Sequence, residues 1–120
     1  MNKPLNKMNC EPCRFGGRPV TAAEARELMI KIPAWRRETR KGVKRLLREF
    51  SFIGFDDAFE FSGRIADLAR EQDHHPTMLV EYGKVTIRWW THKINGLHMN
   101  DFIMAAKTDD IFREMAEVRN

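Results

Sequence analysis

The sequence predicts an α+β two-layer domain: a four-stranded antiparallel sheet with helices packed on one face, in the order α-β-β-α-β-β-α. Three observations carry this. Leu46, Phe50 and Phe52 in one stretch, and Val85, Ile87 and Trp89 in another, fall at even spacings, the period of a half-buried strand. Each stretch follows a glycine-containing turn and a short strand-like run, so each closes a hairpin. The remaining segments carry apolar residues three and four apart, the spacing of a helix with one face on a core.

The folded part begins at Thr21. Thr21-Ala22-Ala23-Glu24 has the capping-box form, a hydroxyl followed three residues later by a carboxylate, and a helix follows to about Lys31, before Pro33. The first hairpin runs from Trp35 to Thr39, turns at Arg40-Lys41-Gly42, and returns over Val43–Phe52. Asp56 or Asp57 is the expected cap of a second helix, with Phe55, Ala58, Phe59, Ile65, Ala66 and Ala69 as its core stripe. Gly63 weakens that helix by about 1 kcal/mol relative to alanine. The helix ends near Asp73-His74, because Pro76 biases His75 toward extended backbone. The second hairpin runs from Thr77 to Tyr82, turns at Gly83, and continues over Lys84–His92. Val85, Ile87 and Trp89 face one way; Thr86, Arg88, Trp90 and His92 face the other. Lys93–Met99 reads as a loop, and a last helix runs from about Asp101 to Val118, burying Met104, Ile111, Met115 and Val118.

At 120 residues the chain is one domain in size. Residues 1–19, with Pro4, Pro12, Gly16, Gly17 and Pro19, read as a flexible extension, and 20–120 as the single domain. With 42% hydrophobic and 32% charged residues, the chain is too apolar to be disordered. The longest apolar run is Phe102–Ala106, far short of the ~20 residues of a membrane span. No apolar stretch follows Lys3 and Lys7, so no secretory signal is read and the expected location is the cytoplasm.

The net charge is +4, unevenly spread. Lys31, Arg36, Arg37, Arg40, Lys41, Lys44, Arg45 and Arg48 crowd one stretch, opposed only by Glu38. No aromatic RNA-binding signature or recognition helix accompanies them. A solvated hairpin face is therefore the reading preferred to a nucleic-acid surface. Cys10 and Cys13 have the spacing of half a zinc-finger ligand set, yet no second pair and no finger-spaced histidine follows. A metal shared between subunits and a redox role are the functional readings. Incidental thiols on a frayed segment are the plainer one.

Histidines carry the chemistry. His74 and His75 sit at the corner between the second helix and the second hairpin; His92 ends that hairpin. If Gly83-Lys84 form the turn, His92 falls opposite His75. If the turn lies one residue earlier, His92 falls opposite Asp73. Either register brings three imidazoles and a carboxylate to one corner. Imidazoles with pKa near ~6.5 exchange protons at neutral pH, which is the equipment of general acid-base catalysis. A three-histidine zinc site is the weaker alternative, because adjacent side chains such as His74 and His75 diverge.

These residues resemble a known family. Asp73-His74-His75-Pro76, Tyr82, Thr91-His92, Gly96-Leu97 and Asp101 resemble the pterin-4a-carbinolamine dehydratases. Tyr82-Gly83-Lys84-Val85-Thr86, Trp89-Trp90-Thr91-His92-Lys93 and Asn100-Asp101-Phe102-Ile103-Met104-Ala105-Ala106 resemble the bacterial branch that acts with phenylalanine hydroxylase. The resemblance spans about residues 21–112, and Cys10-Glu11-Pro12-Cys13 has a counterpart in some bacterial members. It implies the same two-layer fold, a homodimer or homotetramer, and dehydration of 4a-hydroxytetrahydropterin to quinonoid dihydropterin with no metal or organic cofactor. By the resemblance, His74, His75 and His92 are catalytic, and Asp73, Trp90, Thr91, Lys93 and Asp101 line the pterin site, Asp101 orienting a histidine or the pocket wall. A contact with phenylalanine hydroxylase is a further implied partner; a membrane and nucleic acid are not. Some animal members also act as dimerisation partners of a transcription factor, so an interaction module built on the basic hairpin is the alternative function. Met78, Asn100 and His98 depart from the animal pattern, and His98 reads as surface or helix-cap material.

Overall fold

The computed structural model of the chain describes residues 3–11 and 18–119. Cys13, half of the cysteine pair, lies outside the described residues, as does the side chain of Val118. The fold is the expected one. Helix α1 (Ala22–Lys31), strands β1 (Arg36–Arg40) and β2 (Val43–Ser51), helix α2 (Phe55–Gln72), strands β3 (Thr77–Glu81) and β4 (Lys84–Trp89) and helix α3 (Met99–Arg119) follow in that order. The sheet is antiparallel throughout, with strand order β1-β2-β4-β3.

One face of the sheet is the core. Leu46, Phe50, Val85, Ile87 and Trp89 are buried in one cluster with Leu28, Phe61, Ile65, Phe102 and Met104 from the helices. The Thr21–Glu24 capping box closes as read, with each partner accepting the other's backbone N–H. The turns show why glycine is required. Lys41 and Gly42 both have positive φ (51° and 77°), as a two-residue hairpin turn of the primed type demands. Gly83 has φ 75°, and a Cβ there would meet the Phe52 carbonyl oxygen at 3.1 Å.

The strand pairing decides the register. Glu81 pairs with Lys84, so the turn is Tyr82-Gly83 and not Gly83-Lys84, with the positive φ of Gly83 at the second turn position. The second helix starts earlier than read: Gly54 is its N-cap, no side chain caps it, and Asp56 and Asp57 lie in the first turn, where they complement the helix dipole. Its buried face is Ala58, Phe61, Ser62, Ile65, Leu68 and Ala69. Phe55 and Phe59 are not on it; they are 46% and 65% exposed and stack on each other. Phe59 follows Ala58 by one residue, about 100° around the helix, and so leaves the core face. Met104 and Met115 of α3 are buried and Ile111 is half-buried.

The segment read as an extension contributes to the fold where it is described. Leu5 is 6% exposed within the core cluster, the Asn6 amide donates to Asp110 and Lys107 donates to the Asn6 carbonyl. Beneath the first hairpin, Asp109 of α3 accepts from the Trp35 indole (2.8 Å) and from Arg48. Burial pushes the Asp109 carboxyl above its ordinary 3.8, against the pull of Trp35 and Arg48. The folded chain therefore holds this proton more tightly than the unfolded chain, and the stability it contributes is lost as pH rises from 3.8 through the raised value. In chemical denaturation, the stability of the wild type relative to Asp109→Asn is expected to fall as pH climbs through that window. A flat difference would contradict the assignment.

Candidate active site

β4 ends at Trp89, not at His92, because Thr91 bridges to Gly96 and a 3₁₀ turn, His92–Ile94, diverts the chain; Asn95 closes it with φ 49°. Thr91 itself stays extended (φ −104°, ψ 111°), so strand alternation persists through it. Thr91 points inward while Trp90 and His92 share the outer side. Across from them, α2 stops because Asp73 takes the left-handed conformation (φ 53°) as its C-cap, and the His74 N–H bonds to the Ala69 carbonyl. His74 turns inward and is 8% exposed, whereas His75 and His92 are solvent-facing.

The two ends enclose a hollow of about 310 Å³ lined by Asp73, His74, His75, Thr91, His92 and Lys93, within the ~300–1,000 Å³ of small-molecule sites. The register places three imidazoles and Asp73 at one corner, the convergence expected from the hairpin. Trp90 and Asp101 stand behind this wall and are not among its lining residues. Trp90 is 7% exposed and its ring lies 4.5 Å from that of His92.

Asp101, fully buried, is the centre of the inner shell. Its Oδ1 lies 2.7 Å from His74 Nε2; its Oδ2 accepts the Thr91 hydroxyl at 2.8 Å and the His98 N–H at 2.9 Å. With the Thr91 hydroxyl and the His98 N–H both donating to Oδ2, Oδ1 is left as an acceptor for a proton on His74 Nε2, and in that tautomer Nδ1 presents a lone pair. Behind His74, Trp89 lies parallel at 5.8 Å between centroids and 10° between planes. Consecutive tryptophans thus back two histidines from opposite faces of the strand.

The start of α3 holds this carboxylate in place. His98 precedes the helix, its Nδ1 accepts the Asn100 N–H, and its own N–H goes to Asp101. This is an N-cap in which the imidazole accepts from the second helical residue and the carboxylate of the third returns to the cap N–H, so Asp101 serves the helix end and the histidine together. Asn100, 2% exposed, clamps the backbone of Glu11 at both N–H and carbonyl, and Gln72, the last residue of α2, accepts the Cys10 N–H. The N-terminal segment thereby straps together the two helix ends that carry His74 and Asp101. Among the described residues no group of three or more His, Cys, Asp or Glu side chains is placed to hold a metal ion, and no helix is long and apolar enough to cross a membrane.

The family model described as "Pterin 4 alpha carbinolamine dehydratase" matches residues 18–111. The chain belongs to that family. Relatives carrying the pterin-4-alpha-carbinolamine dehydratase name include one from Chlorobium luteolum, 46% identical over 92% of this chain and 97% of its own length. One from Microcystis aeruginosa is 44% identical over 92% and 95%. A solved structure from Brucella melitensis, described as a transcriptional coactivator/pterin dehydratase, superposes with a TM-score of 0.70 at 31% identity, covering 78% of this chain and 98% of that one.

Proposed function

We propose that this member of the carbinolamine dehydratase family removes water from 4a-hydroxytetrahydropterin, giving quinonoid dihydropterin, by histidine acid-base catalysis. The supporting observation is the hollow with His74, His75 and His92 in its wall and the buried Asp101 behind His74. In the reaction the C4a–O bond breaks, the hydroxyl leaves as water after taking a proton, and N5 loses its proton as the C4a=N5 bond forms. One proton is given and one taken. The Asp101 contact fixes the Nε2–H tautomer of His74, so Nδ1 is the acceptor suited to the N5 proton. The proton for the departing hydroxyl then comes from one of the exposed imidazoles, His75 or His92. Asp73, Thr91 and Lys93 contact the ring system, while Trp90 and Asp101 support the wall. In this reading the enzyme works in the cytoplasm and returns the pterin cofactor of aromatic amino acid hydroxylation to a reductase, with phenylalanine hydroxylase as a contact.

The test is stopped-flow spectroscopy of enzymatically generated 4a-carbinolamine: wild-type protein accelerates its decay, and an unaltered decay rate overturns the reading. Self-association to a dimer or tetramer is part of the proposal. Ile53 (94% exposed), Phe59 (65%) and Tyr82 (80%) are large apolar side chains left in water by a single copy. Sedimentation showing only monomer at assay concentration would remove that part. A second reading, a protein-interaction or transcriptional co-regulator module, draws on the description of the Brucella melitensis structure and on the exposed Arg36, Arg37, Arg40, Lys41 and Lys44 of the first hairpin. It predicts a salt-dependent partner contact that survives His74→Ala with His92→Ala.

A further inference from the structure

We infer that Arg45 is a positioning residue for His92, acting through Trp90. The inference rests on the dehydratase reading and concerns the same site. The β2–β4 ladder pairs Leu46 with Trp89, so the next step places Arg45 beside Trp90 on the outer side of the sheet. The Arg45 guanidinium lies over the Trp90 ring, 4.0 Å from its centroid, and the Trp90 ring in turn meets the His92 ring at 4.5 Å. Cation, indole and imidazole form one contiguous chain of contacts that ends in the hollow, the two rings tilted by 38°.

Three features single out this chain of contacts. Glu38, directly opposite Arg45 on β1, gives its carboxylate to Arg88 at 2.8 Å, which together with Arg40 and Arg45 holds Glu38 below the ordinary carboxylate range. The carboxylate next to Arg45 is therefore engaged elsewhere. Arg45 Nε is buried and has no hydrogen-bond partner among the described residues. Dry, unbonded polar atoms are costly, and the compensating contact at hand is the indole face. Finally, His74 and His92, on opposite sides of the strand end, are held in different ways. His74 is fixed by a carboxylate, whereas no hydrogen bond to the His92 ring is present among the described residues, so the indole sets the orientation of that ring.

The consequence is specific. Removing the cation frees Trp90 to change rotamer, and His92 loses the surface that aims it. Small misplacements of a proton-transfer group act on the chemical step and not on ground-state binding. The variants are Arg45→Met, which keeps a long apolar stem without charge, and Arg45→Lys, which restores a cation. In ¹H–¹³C spectra, with the His92 signals assigned by their loss in His92→Ala, the wild-type ring protons are displaced by the Trp90 ring current. Arg45→Met is expected to move them toward the values of an exposed histidine and to lower kcat about ten-fold with KM nearly constant. Arg45→Lys is expected to recover both in part. A folded Arg45→Met with wild-type ring signals and wild-type kcat overturns the inference. If the methionine variant does not fold, Arg45→Gln carries the same two measurements. An inactive wild type overturns the dehydratase reading instead, and the ring signals still decide whether Arg45 orients His92.

Discussion

Alanine at both His74 and His92 is expected to abolish the acceleration of carbinolamine decay. Each positioned proton-transfer group contributes about 10²- to 10⁴-fold. Groups that act as one unit lose their effects non-additively, so the double variant falls to about the level of the more damaging single one. The two sites differ in what else they cost. His92 is exposed and its ring makes no hydrogen bond among the described residues, so its removal shifts stability by about 0.5 kcal/mol or less. His74 is buried against Trp89 and bonded to Asp101, so truncation leaves a void and a carboxylate short of one donor, a loss of about 1–3 kcal/mol. His74→Gln with His92→Ala is the companion variant, because the amide retains a donor for Asp101 while removing the imidazole. Stopped-flow decay with circular dichroism on both pairs separates catalysis from folding. Full acceleration by either folded double variant would remove these histidines from the mechanism.

How far the chain could be read without coordinates depended on which kind of rule applied. Val85, Ile87 and Trp89 declared a strand and a buried face because alternation is a local property, and they are the buried centre of the sheet. The meeting of His92 with His74 and His75 was legible for a related reason: hairpin pairing is geometric, and both candidate registers returned His92 to the same corner. The choice between registers rests on whether Gly83 is the first or second turn residue; glycine suits either position, so only the pairing of Glu81 with Lys84 settles it. Phe55 and Phe59 are apolar residues next to the core stripe, but their angles on the helix turn both outward. The inner support was hidden altogether. That Asp101 takes donors from α2's end, from Thr91 and from His98 depends on how three elements close together. Arg45 carried no local mark beyond its place in a basic run. Its partner Trp90 lies across a strand pair and 45 positions away in the chain, a distance over which sequence pattern carries no information about contact.

Asp101→Asn is expected to be the most damaging single exchange that leaves the shape of the site unchanged. The amide is isosteric with the carboxylate, but one oxygen becomes an NH₂ donor. In the wild type, Oδ2 accepts both Thr91 and His98, and Oδ1 faces His74 Nε2. The amide oxygen takes the Oδ2 position, where two donors converge, and the NH₂ then faces His74. Two donors cannot share that 2.7 Å contact, so His74 shifts its proton from Nε2 to Nδ1, the nitrogen assigned to accept the N5 proton. In a hydrolytic triad the same exchange imposes the wrong tautomer and lowers kcat by about 10⁴-fold. Here a loss of about 10²- to 10⁴-fold is expected, with KM little changed because Asp101 does not line the hollow. Stability falls by about 1–3 kcal/mol as a fully buried acceptor is lost. Nitrogen-15 spectra of the His74 ring report the tautomer directly, so the cause is measured apart from the rate. A folded variant that retains the Nε2–H tautomer and full kcat would show that the buried carboxylate serves the α3 cap alone. Loss of kcat with an unshifted tautomer would place the defect in the geometry of the wall, and Asp101→Glu, which keeps the charge but displaces it, would then fall as far as Asp101→Asn.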